Sequence, residues 1–242
     1  MNMDLENGII RYDEEYILNS RGLKLFTCKW VPVKEEPKGL IFICHGYAME
    51  CSITMNSTAI RLVKAGFAVY GIDYEGHGKS SGLQGYISTF DNVVDDCSTF
   101  FTQICEKREN KRKMRILLGE SMGGAVLLMI HRKKPEYWDG AVLVAPMCKV
   151  SLSFIVLHGE DDKVTDKTVS QQLYDVASSS NKTLKLYLGT WHGLLYGETP
   201  ENIEIVFSDI IKWLNHRYEY GNSRFEREND VIFVSKDIKS GF

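Results

Sequence analysis

The chain has 242 residues, with 29 Lys and Arg against 32 Asp and Glu for a net charge of −3, and it is 44% hydrophobic and 25% charged. That length suits one large domain or two small ones, and the balance is that of an ordinary globular chain, which excludes collagen, coiled coil and wholesale disorder. It also lacks the basic excess by which nucleic-acid binders displace counterions from phosphates, so no nucleic-acid partner is expected.

The opening residues carry two acids and no basic region leading into an apolar stretch, so no secretory signal is read there and a cytoplasmic chain is expected. Residues 15–19, 24–31 and 39–44 read as strands, the first two forming a hairpin around Ser20-Arg21-Gly22. Leu40-Ile41-Phe42-Ile43 is the continuous apolar run demanded of a sheet covered on both faces. From there helices and strands alternate. Helices are expected over 58–64, 89–107, 122–131, 169–177 and 203–214, with strands over 67–72, 115–118, 141–145, 154–157 and 184–187. Alternation of this kind means a mainly parallel, twisted α/β sheet with helices on both faces.

The charged stretch 106–115 is expected to be the solvated end of a helix and the turn into the next strand. Residues 1–217 form one domain in this reading, and 218–242 a polar C-terminal tail. No apolar run approaches the roughly 20 residues that cross a bilayer. The six cysteines (Cys28, Cys44, Cys51, Cys97, Cys105 and Cys148) form no C-x-x-C pair and are expected to be free thiols. Two glycosylation sequons, at Asn56 and Asn181, are short patterns expected to carry nothing without export. No metal-ligand cluster is seen, and neither a metal nor another cofactor is expected.

Gly119-Glu120-Ser121-Met122-Gly123 follows the strand at 115–118 and precedes an apolar helix. Glycines two before and two after a serine permit the strained strand-to-helix turn that lifts its hydroxyl above a sheet, with the helix N-terminus aimed at the site. Ser121 is therefore the expected nucleophile. A serine hydroxyl needs a general base. His131 and His216 lie among charged residues on expected helices and read as surface groups, while His45, His77 and His158 each precede a glycine where an imidazole can hold loop backbone. His192 falls between the last strand and the last helix, at the sheet edge where the serine emerges, and is the expected base. A carboxylate must hold that imidazole in one tautomer. Four acids, Glu160, Asp161, Asp162 and Asp166, follow the strand at 154–157, and periodicity does not choose among them.

Taken together, Cys44-His45-Gly46-Tyr47, the stretch 71–80 (GIDYEGHGKS), the stretch 82–87 (GLQGYI), Gly119-Glu120-Ser121-Met122-Gly123-Gly124, Leu157-His158-Gly159-Glu160 with Asp162, and Trp191-His192 resemble the monoacylglycerol lipase group of α/β-hydrolases. The likeness is greatest to its plant members, which include caffeoylshikimate esterases. The resemblance implies an α/β-hydrolase fold, Asp162 as the acid of a Ser121-Asp162-His192 triad, and an oxyanion hole made by the backbone N–H groups of Tyr47 and Met122. It implies a small carboxylic ester as substrate. An H-x-x-x-x-D acyltransferase signature described for some relatives is not met, because Glu50 stands at its last position.

One departure stands out. The family inserts a helical cap of several dozen residues where this chain has only seven between Pro146 and Phe154. Seven residues extend roughly 24 Å, against about 17–20 Å for a typical strand, so the return to the sheet is reachable by a taut thread. Loss of the cap is expected to expose or strain Met147, Leu152 and Phe154 and to leave Ser121 in an open groove. The alternative to an esterase is a capless, poorly active binding or regulatory protein of the same fold; peripheral contact of the site mouth with lipid is compatible with either.

Overall fold

The computed structural model describes residues 2–5, 8–146 and 153–220. Among the described residues nine strands form one sheet: β1 (Asn2–Leu5), β2 (Ile10–Leu18), β3 (Lys24–Pro32), β4 (Gly39–Cys44), β5 (Ala68–Ile72), β6 (Met114–Glu120), β7 (Gly140–Val144), β8 (Phe154–Gly159) and β9 (Lys182–Tyr187). Their spatial order is β1-β2-β3-β5-β4-β6-β7-β8-β9. β1 to β3 are antiparallel, β3 pairs antiparallel with β5, and from β5 to β9 every pair is parallel. The expected hairpin is present, Leu18 facing Lys24 across a turn in which Gly22 takes φ 77°. β1 was not expected, and β2 begins five residues earlier than the reading from residue 15.

Five helices cover the sheet: α1 (Asn56–Lys64), α2 (Phe90–Cys105), α3 (Met122–Lys133), α4 (Lys167–Val176) and α5 (Pro200–Tyr220). Strand alternation sorts the apolar run of β4 between two cores. Leu40 and Phe42 join α2, α3 and α4 on one face, while Ile41 and Ile43 join α1 and α5 on the other. The helical spacing in α2 delivers Val93, Val94, Cys97, Phe101 and Ile104 to the first core. The stretch 106–115 is the end of α2, turns and the start of β6, as expected, except that Arg115 is buried with its guanidinium 4.2 Å from the Tyr137 ring centre. The helix expected over 203–214 extends through Tyr220, past the 217 boundary, and residues 221–242 of the expected tail lie outside the described residues.

Two expectations are corrected. His131 is buried, not a surface group, because α3 turns that side toward the core it shares with α2. Phe154 is fully buried rather than exposed, since α4 packs on β8 and its Leu173 shares a core with Phe154. Met147 and Leu152 lie outside the described residues, as does Cys148; the other five cysteines are buried and form no disulfide among the described residues. β7 and β8 pair in parallel, Ala141 opposite Phe154 and Val144 opposite Leu157. Among the described residues no helix is long and apolar enough to cross a membrane, and no group of His, Cys, Asp or Glu is arranged to hold a metal.

Candidate active site

The parallel strands end at one edge, and the loops leaving them carry every residue of the expected site. Ser121 joins β6 to α3 with φ 51° and ψ −118°, a conformation an L-residue adopts only under strain. Its N–H donates to the Val144 carbonyl at 2.9 Å, and its carbonyl accepts from the Gly124 N–H at 3.0 Å. The flanking glycines permit a close approach. A Cβ on Gly123 would lie 1.8 Å from the Cys44 carbonyl oxygen, and one on Gly119 would lie 2.6 Å from the Gly123 carbonyl oxygen. α3 therefore starts directly against the end of β4, where Tyr47 follows.

The start of α3 is thereby brought against Cys44 and His45, two residues before Tyr47. Met122 is the first residue of α3, where a backbone N–H has no partner within the helix. Among the described residues the Tyr47 N–H makes no backbone hydrogen bond either. The loop bearing Tyr47 is held from three directions. His45 is buried, its Nδ1–H donating to the Gly46 carbonyl at 2.8 Å and its Nε2 accepting from the Tyr74 N–H at 3.2 Å. Burial drives its pKa down to about 3, so the ring is neutral and bracing. Asp73 accepts from the Cys51 and Lys79 N–H groups, which ties this loop to the one after β5. The Tyr47 hydroxyl donates to the Gly85 carbonyl at 2.8 Å.

The four acids after β8 are distinguished by their partners. Asp166 caps α4 by accepting from the Thr168 N–H, Glu160 pairs with Lys167, and Asp161 is exposed. Asp162 is the one whose side chain is wholly buried and reaches a histidine, its Oδ2 accepting from His192 Nδ1 at 2.8 Å. Its Oδ1 accepts from the Val164 and Thr165 N–H groups, and the Thr165 hydroxyl donates to Oδ2 at 2.7 Å. Burial opposes the charge on Asp162, but the bonds from His192, Thr165 and Val164 outweigh it and hold the carboxyl below its usual range. His158 completes the cradle. Its Nδ1 accepts from the Ser170 hydroxyl at 2.6 Å, so Nε2 carries the proton, donates to the Thr165 carbonyl at 3.0 Å and lies 3.2 Å from Asp162 Oδ2.

Gly159 lets the acid loop meet the histidine loop, since a Cβ there would lie 2.3 Å from the Trp191 carbonyl oxygen. The Asp161 N–H donates to the Thr190 carbonyl across the same junction. Asp162 and His192 are thus brought together. Ser121 stands at the same edge, without a hydrogen bond from its hydroxyl to His192 among the described residues. Thr165 is a support that the sequence reading passed over, while His158 holds loop backbone as read, through the Thr165 carbonyl. The run H-G-E-x-D placed His158 beside the acid, but nothing in the spacing revealed that its ring turns back onto that carboxylate.

A mainly parallel sheet with a serine on a strained strand-to-helix turn, and an acid and a histidine on later loops of the same edge, defines an α/β-hydrolase. A family model described as serine aminopeptidase, S33, matches residues 35–155 and 149–200, and the chain belongs to that family. It is similar to the caffeoylshikimate esterase of Arabidopsis thaliana, 27% identical over 294 aligned positions that cover 88% of each chain. It is also similar to the human monoglyceride lipase, 24% identical over 85% of this chain and 91% of the relative. Among solved structures, a soluble variant of the Saccharomyces cerevisiae monoglyceride lipase with a substrate analog superposes with TM-score 0.75 at 17% identity, covering 83% of this chain and 94% of that one. Est1E from Butyrivibrio proteoclasticus with bound ferulic acid superposes at 0.72 and 15% identity, over 84% of this chain and 98% of that one.

Proposed function

We propose that the chain is a serine hydrolase that cleaves small carboxylic esters, of the monoacylglycerol or caffeoylshikimate type, through an acyl-enzyme on Ser121. His192, its Nδ1–H held by Asp162, takes the Ser121 proton on Nε2 as the oxygen attacks the ester carbonyl. The backbone N–H groups of Tyr47 and Met122 receive the oxyanion, each such donor contributing roughly 3 kcal/mol to lowering the barrier. The imidazolium then protonates the leaving alcohol. Water, activated by the same imidazole, returns the acyl group as an acid and restores the serine. The observation that carries this reading is the Asp162–His192 bond at the edge where the strained Ser121 emerges.

The missing cap is part of the proposal. Nine residues, 145–153, join β7 to β8, and the two pieces of the family match meet within 149–155, at the same connection. An uncapped site is open to short esters and holds long acyl chains weakly. Exposed apolar side chains stand on the surrounding loops, among them Tyr47, Leu83, Tyr86, Val164, Leu188 and Trp191, and they suit a substrate presented at a lipid surface. A cytoplasmic protein with peripheral membrane contact fits this picture. Turnover of p-nitrophenyl butyrate, lost in Ser121→Ala, is the expected result. An unaltered chain that neither turns over this ester nor reacts with a fluorophosphonate would favour the capless binding protein instead.

A further inference from the structure

Glu120 is the last residue of β6, immediately before Ser121, and it is buried. Neither carboxyl oxygen has a hydrogen-bond partner among the described residues. A buried carboxyl so placed avoids the cost of an unpaired charge by keeping its proton. Two loops pack close to this residue. A Cβ on Gly46 would lie 3.6 Å from the Glu120 backbone carbonyl oxygen and 2.7 Å from Met49 Sδ, so the loop bearing Tyr47 passes against the backbone at the end of β6. The Tyr196 hydroxyl lies 3.8 Å from Met49 Sδ, and Tyr196 belongs to the His192 loop, its N–H donating to the Gly193 carbonyl.

Tyr196 is the titratable side chain acting on Glu120, while Gly46 and Met49 bring no charge. Burial pushes Glu120 up to about 7, and the Tyr196 hydroxyl offsets part of that rise, favouring the charged form without reaching either oxygen at bonding distance.

We propose that Glu120 is a positioning residue that must be uncharged for turnover. Its carboxyl is buried and unpartnered one residue before the nucleophile, and its ionisation opposes the negative charge gathering on the oxyanion formed at Ser121. The inference rests on Ser121 being the nucleophile. A unit charge several ångströms away in partly desolvated surroundings changes a rate by about tenfold or more.

The test is kcat and KM for p-nitrophenyl butyrate, from about pH 5.5 to 9.5, on the full chain and on Glu120→Gln, Tyr196→Phe and Ser121→Ala. The amide is neutral at every pH, so the ratio of kcat in Glu120→Gln to kcat in the unaltered chain should rise about tenfold around pH 7. A ratio that does not change with pH overturns the proposal, because a purely structural contact would scale all pH values alike. Tyr196→Phe removes the hydroxyl that favours the charged carboxyl, so the alkaline fall in kcat should move to higher pH. A fall that stays in place overturns the proposal even if Glu120→Gln does not fold. Turnover by Ser121→Ala would overturn the nucleophile assignment, and this inference with it.

Discussion

Gly123→Ala should cripple the site without changing the identity of any triad residue. The new methyl carbon would sit 1.8 Å from the Cys44 carbonyl oxygen, where ordinary contact begins at 3.4 Å, so α3 must retreat by about 1.6 Å from the end of β4. The retreat carries the Met122 N–H and Ser121 away from Tyr47, which stays with β4. A 1 Å misplacement of reacting groups costs on the order of a hundredfold, and loss of one oxyanion donor costs about a hundredfold to a thousandfold. Overpacking adds about 1–3 kcal/mol of destabilisation. The assay is kcat/KM for p-nitrophenyl butyrate beside a urea melt, with circular dichroism to establish that the variant is folded. The expected outcome is a folded chain at least about a hundredfold slower. A folded Gly123→Ala with kcat/KM within about threefold of the unaltered chain would refute the argument that the contact between α3 and β4 builds the oxyanion hole.

Asp162→Asn should lower kcat by roughly ten thousandfold through loss of the tautomer it enforces, while Asp161→Asn changes it by less than about twofold; the reverse order would move the acid to Asp161. Stability should depend on pH through Glu120. Its folded pKa, about 7, lies above the ordinary 4.5, so the folded chain binds more protons than the unfolded one, and stability present below pH 4.5 is lost as pH rises through 7. The loss is roughly 3 kcal/mol and should be absent in Glu120→Gln; urea midpoints whose pH dependence is the same in both chains would contradict it. The open groove predicts higher kcat/KM for p-nitrophenyl butyrate than for the palmitate ester, and a preference for the long chain would contradict the capless reading.

The elbow was legible because its requirement is local: two glycines spaced about a serine, after an apolar strand and before an apolar helix. The position proposed for the base, His192, follows from chain order. The acid was not legible from the residues, since four carboxylates crowd one loop and only hydrogen bonds from Val164, Thr165 and His192 single out Asp162. His131 was misread because its neighbours in sequence are charged, while its place on α3 buries it. Phe154 was misread because the expected loss of the cap was weighed and the cover supplied by α4 was not. The alternation of buried Ile10 and Tyr12 did mark the start of β2, but the acids that follow masked it. Glu120 had one signal available: an acid closing a strand whose preceding residues, Ile116 to Gly119, are all buried.

The most direct measurement is peptide mass spectrometry of the full chain after reaction with a fluorophosphonate, run beside His192→Ala. The account predicts a single phosphonyl adduct on the peptide bearing Ser121, formed far more slowly once the imidazole is gone. An adduct on another residue, or one that forms equally fast without His192, would contradict it.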